Sequence, residues 1–228
     1  MCCLAVLKYL TNDLEFSNMN KKPLIPLFLT LGFAAGSASA DTIVYDNGPI
    51  NGTINAYNIY FGFAITDSFT LSSNASVHDF DNLGLWVYPG AQPTSVDFLI
   101  TTAAFGGITV DSGTAALSSV QVGTGFGYYP IYSSSFNIPS LPLSAGTYWL
   151  QLQNAVTTNG SHVYWDINYG PSTAYLQPYG YGTYAIGSES FQVTATPTPI
   201  PAALWLVGSG LAGVFGFARR KAGKDTQA

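Results

Sequence analysis

The chain has 228 residues, of which 8% are charged, and its formal net charge at pH 7 is −5. All lysines and arginines lie within residues 1–22 or 219–228, whereas residues 41–195 contain eight Asp, one Glu and two His. A body without cations repels phosphate groups, which argues against nucleic acid as a partner. Both cysteines also lie at the N-terminus, at positions 2 and 3, so the body contains no disulfide.

Residues 19–40 predict a secretory signal peptide. A lysine pair, the apolar run PLIPLFLTLGFAA and the A-x-A sequence ASA follow one another in the order that such signals use. Ala38 and Ala40 form the signal peptidase site, and cleavage after Ala40 makes Asp41 the first residue of the mature protein. Residues 1–18 include acidic side chains that an export signal lacks, and we interpret them as an over-extended start.

Residues 41–195 predict a single all-β domain. Nine short apolar or alternating runs occur there, and clusters of Gly, Pro, Asn or Ser separate them about every ten residues. This spacing is typical of an antiparallel β-sandwich or a jelly roll. In TYWLQLQ, Tyr148, Leu150 and Leu152 fall on one face and two glutamines on the other, as in a half-buried strand. The runs are TIVYD, DSFTLS, NLGLWVY, SVDFLITT, GITVDS, SSVQVG, TYWLQLQ, HVYWDINY and SFQVTA.

A Pro-rich linker and a predicted membrane span end the chain. Residues 196–201, TPTPIP, favour extended polyproline II. Residues 202–218 carry no charge, and a helix of 17 residues at ~1.5 Å per residue spans ~25 Å, the short limit for crossing a bilayer. Cations follow at once, so the positive-inside rule places residues 219–228 in the cytoplasm and the body outside. The cations that form this membrane stop signal are Arg219, Arg220 and Lys221.

The order of these parts resembles the PEP-CTERM sorting signals, in the variant whose motif is V-P-L-P-A. The resemblance covers residues 197–221, with Thr198 where Val is usual and Ile200 where Leu is usual. It implies a Gram-negative protein that is anchored in the inner membrane as a precursor and then moved to the cell surface or extracellular matrix. It also implies a partner, the membrane protease exosortase, which is thought to recognise the motif; a permanent anchor is the alternative. The motif residues here are Pro199, Ile200, Pro201, Ala202 and Ala203.

Two groups of side chains in the body are candidate ligand sites. Asp79 and Asp81, in HDFDN, lie on one side of an extended segment, where hard oxygen ligands at alternate positions suit calcium. A polar strand edge is the alternative. In YLQPYGYGTY, tyrosines among glycines suit stacking on sugar rings, or else cover the ends of the sandwich. These tyrosines are Tyr175, Tyr179, Tyr181 and Tyr184, and GFGYYPIY is a second aromatic run.

The body lacks most of the residue patterns that catalysis uses. It contains no Cys, no Lys and no G-x-S-x-G, and His78 and His162 are far apart in sequence. We therefore expect a non-catalytic surface or matrix protein that binds exopolysaccharide and takes no cofactor other than calcium. The alternative is a secreted carbohydrate-active hydrolase with a pair of Asp residues, or an Asp with Glu189.

Overall fold

The structure, a computed structural model, describes residues 40–198. Every regular element within that range is a β-strand, and the strands form two antiparallel sheets, which confirms the all-β expectation. The described part of the chain contains no helix of the length and apolarity that a bilayer crossing needs. The predicted signal peptide up to residue 39 and the sorting motif, membrane span and tail after Thr198 lie outside the described residues.

Sheet A has seven strands and is organised around one long strand. Its members are β1 (Thr42–Asp46), β2 (Ala56–Asn58), β4 (Ala75–Val87), β7 (Ser118–Gly125), β8 (Tyr129–Leu143), β10 (Val163–Asp166) and β13 (Gln192–Pro197). Strand β4 pairs with β8 along one edge and with β13 and then β10 along the other. Strands β1, β2 and β7 extend the sheet from β13, β10 and β8.

Sheet B has six strands in the order β12-β11-β3-β9-β5-β6. Their bounds are β3 (Ala64–Leu71), β5 (Pro93–Ala103), β6 (Gly106–Ala116), β9 (Gly146–Thr157), β11 (Ala174–Gln177) and β12 (Tyr184–Ile186). Strand β9 lies between β3 and β5, and the pattern of TYWLQLQ holds in it. Leu150 and Leu152 are fully buried, and Tyr148 packs on the same core from a half-buried position.

One hydrophobic core lies between the two sheets, as in a β-sandwich. Aromatic rings cross the interface: Phe136 of sheet A stacks on Phe80 with ring centroids 5.1 Å apart and contacts Phe98 of sheet B at 5.3 Å. A second contact joins Phe69 of sheet B to Phe80 edge to face at 6.0 Å. The alternation of apolar side chains along both sheets therefore delivers one continuous core.

Four strands, β2, β8, β11 and β12, were not among the nine sequence runs. Strand β8 is the most instructive, because it is the longest strand, with 15 residues, and contains three prolines and four serines. Proline lacks the N–H that a ladder needs, so such a run argues against a strand. Pairing on both sides, with β4 and β7, and the buried Ile131, Phe136 and Ile138 keep this segment extended.

We predict that Phe136→Ala lowers the free energy of unfolding by about 3–5 kcal/mol, because it leaves a cavity between the sheets. Denaturant unfolding monitored by circular dichroism measures the change. Phe61→Ala is the control, since this ring is 76% exposed and leaves no cavity. Equal effects of the two substitutions would contradict the assigned core.

Candidate functional site

Two acidic residues lie next to each other inside the sandwich. Asp67 lies between Ile65 and Phe69 on the inward face of β3, because side chains two positions apart in a strand share a face. Glu189 precedes the core residue Phe191 by two positions. Both side chains are 0% exposed. They are adjacent, because the backbone N–H of Glu189 donates to Asp67 Oδ2 at 2.7 Å. The pair therefore lies in the interior and not in a surface cleft.

Asn47 is the polar residue that joins the two groups. Its Nδ2 donates to Asp67 Oδ2 at 3.1 Å and to the carbonyl oxygen of Glu189 at 2.6 Å, and it also contacts Ser172 Oγ at 2.8 Å. Three of the carboxyl oxygens have no hydrogen-bond partner among the described residues: Asp67 Oδ1, Glu189 Oε1 and Glu189 Oε2. Unpaired buried oxygens of this kind disfavour the ionised form.

The pKa values follow from this burial. Loss of hydration raises the pKa of Asp67 to about 6, although hydrogen bonds from Ser172, Glu189, Ser68 and Asn47 oppose the shift. Loss of hydration also raises the pKa of Glu189 well above its usual value, and the nearby charges of Asp67 and Asp166 add to that. Burial therefore favours the protonated form of Glu189, and this fully buried side chain does not reach a sugar.

A third buried carboxylate lies on the outer face of sheet A. Asp166 Oδ1 accepts hydrogen bonds from the indole N–H of Trp86 at 2.7 Å and from Gly52 N–H at 3.0 Å, and Oδ2 accepts one from Asn51 N–H at 2.6 Å. Burial raises the pKa of Asp166, and these three donors oppose the shift. The arrangement fixes Trp86 across from Tyr164, its register partner on β10.

Aromatic side chains, exposed except for the half-buried Tyr60, form a surface that we call the aromatic belt. Tyr60 stacks on His162 at 4.7 Å and contacts Phe61 at 6.4 Å, and Tyr88 contacts His162 at 6.3 Å. On the far side of Phe61, the ring of Tyr179 lies against the backbone of Gly62, where an added Cβ would approach it to 2.6 Å. The belt comprises Tyr60, Phe61, Tyr88, His162, Tyr179 and Tyr181.

A second group of rings, the aromatic cage, adjoins the belt. It comprises Trp86, Phe126, Tyr129 and Tyr164, and it meets the belt where Tyr88 contacts Tyr129 at 5.4 Å. Gly125 makes this group compact, because a Cβ there would lie 2.5 Å from the Trp86 ring. The absence of a side chain at this position lets the end of β7 lie directly on the indole.

Three phenylalanines have positive φ in tight turns: Phe105, with φ of 47°, is half-buried between β5 and β6, whereas Phe61 and Phe126 are exposed. Phe61 and Gly62 have φ of 28° and 78°, and Phe126 and Gly127 have φ of 49° and 68°. Each pair forms the centre of a turn closed by a backbone hydrogen bond, from Phe63 to Tyr60 and from Tyr128 to Gly125. A bulky residue at positive φ costs roughly 1–3 kcal/mol, and such strain concentrates at functional sites.

Of the four tyrosines in the predicted row, two line a common cavity and two lie elsewhere. Tyr179 and Tyr181 are 74% and 70% exposed and line an open cavity of about 450 Å³. Tyr175 instead packs against Trp149, with ring centroids 5.8 Å apart, and Tyr184 is exposed on the short edge strand β12. The cavity adds three amide side chains, from Gln153, Asn154 and Gln177.

The predicted calcium ligands lie within a strand and not in a loop. Asp79 and Asp81 flank the buried Phe80 on β4 and share the outward direction that the sequence indicates. Asp79 Oδ2 pairs with His78 Nδ1 at 2.9 Å, and Asp81 Oδ2 accepts from Thr194 Oγ1 at 2.9 Å. Within residues 40–198 no three His, Cys, Asp or Glu side chains cluster as metal ligands. Calcium binding at Asp79 and Asp81 stays a prediction.

The chain matches no protein-family model, and no curated protein is similar to it. Functional assignment therefore rests on the residues themselves. Sequence reasoning named the tyrosine loop and the GFGYYPIY run but missed the belt that passes through Tyr60, Phe61 and His162. A signal was present, since YFGF and GFGY both place Phe before Gly in a form suited to a tight turn.

We predict that the free energy of unfolding falls as the pH rises from about 4 towards 8. Between its unfolded value of 3.8 and its folded value of about 6, Asp67 binds more protons in the folded state, so stability is lost as pH rises. Glu189 acts in the same direction over a range that starts at 4.5. Glu189→Gln removes the contribution of Glu189 to this loss of stability. The variant is therefore expected to melt at a higher temperature than the wild type at pH 8 and at about the same temperature at pH 4.

Differential scanning calorimetry from pH 4 to pH 8 measures this dependence. Asp46→Asn is the control, because it removes one carboxylate from an exposed residue. The side chain of Asp46 accepts a hydrogen bond from Gly48 N–H, and an asparagine can accept the same bond. A Glu189→Gln profile parallel to that of the wild type would show that Glu189 is ionised in the folded protein.

Proposed function

We propose that this chain is an exported, non-catalytic protein of the bacterial cell surface or extracellular matrix, and that its aromatic belt binds a neutral polysaccharide. One observation carries the proposal: six aromatic side chains, five of them exposed and Tyr60 half-buried, lie on one surface, and one of them, Phe61, is held there at a strained positive φ. A strained conformation at this position is explained if the exposed ring contacts a ligand.

The chemistry of the belt suits sugar rings. Exposed aromatic faces stack on the apolar face of a pyranose, and the tyrosine hydroxyls can exchange hydrogen bonds with sugar hydroxyls. At the cavity under Tyr179 and Tyr181, the amides of Gln153, Asn154 and Gln177 offer both donors and acceptors to hydroxyl groups. This combination of rings and neutral amides provides affinity together with orientation.

The charge of the body favours a neutral glycan over an acidic one. Residues 41–195 contain nine carboxylate residues and no lysine or arginine that could pair with a uronate or a sulfate. An anionic polymer would be repelled by this surface at low ionic strength. The belt itself contains no carboxylate side chain.

Delivery to the surface follows from the sorting-signal resemblance. In this proposal the span 202–218 anchors the precursor in the inner membrane, and an exosortase-like protease recognises the motif from Pro199 to Ala203. Residues 196–201 then serve as an extended segment that holds the body away from the membrane. The body passes to the cell surface or matrix, where the belt meets its polysaccharide.

The alternative hydrolase receives no support from the carboxylates. Glu189 and Asp67, which lie next to each other in the interior, are both fully buried. Asp166 is fully buried, and its carboxyl oxygens accept three hydrogen bonds from Asn51, Gly52 and Trp86. We therefore retain binding as the function and do not propose hydrolysis.

We predict that Phe61→Asn weakens polysaccharide binding by roughly five- to tenfold, the loss expected when one stacking contact of about 1 kcal/mol is removed. The melting temperature is expected to rise or stay constant, because asparagine adopts positive φ readily and Asn-Gly suits this turn. Affinity electrophoresis in gels containing neutral glucans, mannans and galactans measures binding, and alginate serves as the anionic comparison.

Tyr169→Asn is the matched control, because Tyr169 is 88% exposed but lies outside the belt. Equal retardation of the Phe61→Asn variant and the wild type in every gel would sink the proposed belt. Stronger retardation by alginate than by the neutral polymers would overturn the inferred charge preference.

We predict that scrambling residues 199–203 abolishes release of the protein from the membrane. Intact mass spectrometry of the protein from its native host, in membrane and extracellular fractions, measures the outcome. The expected wild-type species extends from Asp41 to about Pro199 and is extracellular. A wild-type species that keeps residues 219–228 in the membrane fraction would identify a permanent anchor and reject exosortase processing.

A further inference from the structure

The aromatic cage encloses a cavity that the proposed glycan surface does not use. Its volume is about 250 Å³, and it lies next to the belt on the outer side of sheet A. Four of the six lining residues are aromatic, and the others are Asn55 and Ala56. Trp86 is the deepest of the rings, with only 3% of its surface exposed, whereas Phe126 is 61% exposed and lies at the rim.

The rings surround the cavity from different directions. Trp86 and Phe126 meet edge to face at an interplanar angle of 77° and a centroid distance of 5.2 Å. Trp86 and Tyr129 are inclined at 32° and 6.3 Å apart, and Tyr129 and Tyr164 are inclined at 62° and 6.5 Å apart. Rings arranged in this way can present several π surfaces to one bound group, unlike a flat stack.

The charge around the cage is negative and lacks a protein counter-ion. The indole N–H of Trp86 donates to Asp166 Oδ1, and this bond to a carboxylate increases electron density on the indole ring. Residues 41–195 supply no lysine or arginine to neutralise Asp166. Asp166 is fully buried and does not line the cavity, so a cation that enters would meet the aromatic ring quadrupoles, and the carboxylate would act on it through the Trp86 indole.

We propose that the aromatic cage binds a quaternary ammonium group, such as the trimethylammonium end of a choline-type molecule. The methyl groups of such a cation fill an apolar cavity, and its diffuse positive charge interacts with the aromatic faces. A sugar fits this cavity less well, because the indole N–H of Trp86 is already occupied and Asn55 is the one amide in the lining. This ligand is independent of the neutral glycan assigned to the belt.

The turn that carries Phe126 supports a role for this ring in binding. Phe126 has φ of 49° at a position where asparagine or glycine would be relaxed, and the next residue, Gly127, also has positive φ. The strained phenylalanine completes the rim of the cage and contacts Trp86. A structural turn alone would not require an aromatic side chain there.

Isothermal titration calorimetry of the full chain with choline chloride tests the proposal. The matched ligand is 3,3-dimethylbutan-1-ol, which has the same shape without the charge. Binding of choline at least about tenfold tighter than the neutral alcohol is the expected result, since cation–π contacts with several rings exceed 1 kcal/mol. Equal binding of both ligands would show an apolar cavity without charge recognition, and absence of choline binding would also overturn the proposal.

Two variants locate the site and separate this proposal from that for the belt. Phe126→Asn keeps an Asn-Gly turn and is expected to melt no lower than the wild type while binding choline roughly fivefold more weakly. Phe61→Asn, which alters the belt, is expected to bind choline like the wild type. Loss of choline binding in Phe61→Asn with retention in Phe126→Asn would place the cation on the belt and reject the cage.

The origin of the ammonium group is distinguished by further titrations with glycerophosphocholine and phosphatidylcholine vesicles. Binding of choline and glycerophosphocholine without vesicle binding indicates a free molecule or a polymer substituent. Binding of vesicles as well, weakened in Phe126→Asn, indicates a lipid headgroup. Vesicle binding that Phe126→Asn leaves unchanged, with no binding of free choline, contradicts the cage.

Discussion

Sheet A depends on one strand that holds several others. Strand β4 hydrogen-bonds along its whole length to β8 on one side, and its two halves hold β13 and β10 on the other. Its inward side chains, including Phe80 and Leu85, enter the core, while Trp86 faces outward and carries the cage. The register of this strand thus determines both the packing between the sheets and the position of the indole that Asp166 holds.

The buried acidic residues Asp67 and Glu189 have no lysine or arginine to pair with in residues 41–195. Buried charges in proteins are usually paired with a cation, but here burial raises the pKa of Glu189 and so favours its protonated form. The Asn47 side chain connects the segment after β1 to β3 and to the segment before β13. The hydrogen bonds of Asn47 to Asp67 and Glu189 therefore hold this end of the sandwich together. Their strength depends on pH, because burial raises the pKa of Asp67 to about 6.

The sequence predicted the all-β class and the approximate place of nine strands, because alternation and turn residues are local signals. It did not predict β8, whose prolines and serines become a strand only through partners on both sides. It found Tyr179 and Tyr181 but not Phe61, because the approach of the Tyr179 ring to the Gly62 backbone joins residues more than a hundred positions apart. The burial of Glu189 was equally hidden, since a single acidic residue carries no periodicity that shows which side of a strand it occupies.

The pairing of β13 has a consequence for how the chain is made. Strand β13 is the last strand of the body, yet it lies between β1, the first strand, and β4. During vectorial synthesis or threading through a translocation pore, β1 has no partner in its sheet until residues 192–197 emerge. Contacts of such long sequence separation form slowly and late. Sheet A therefore stays incomplete until the last strand of the body is available to pair with β1.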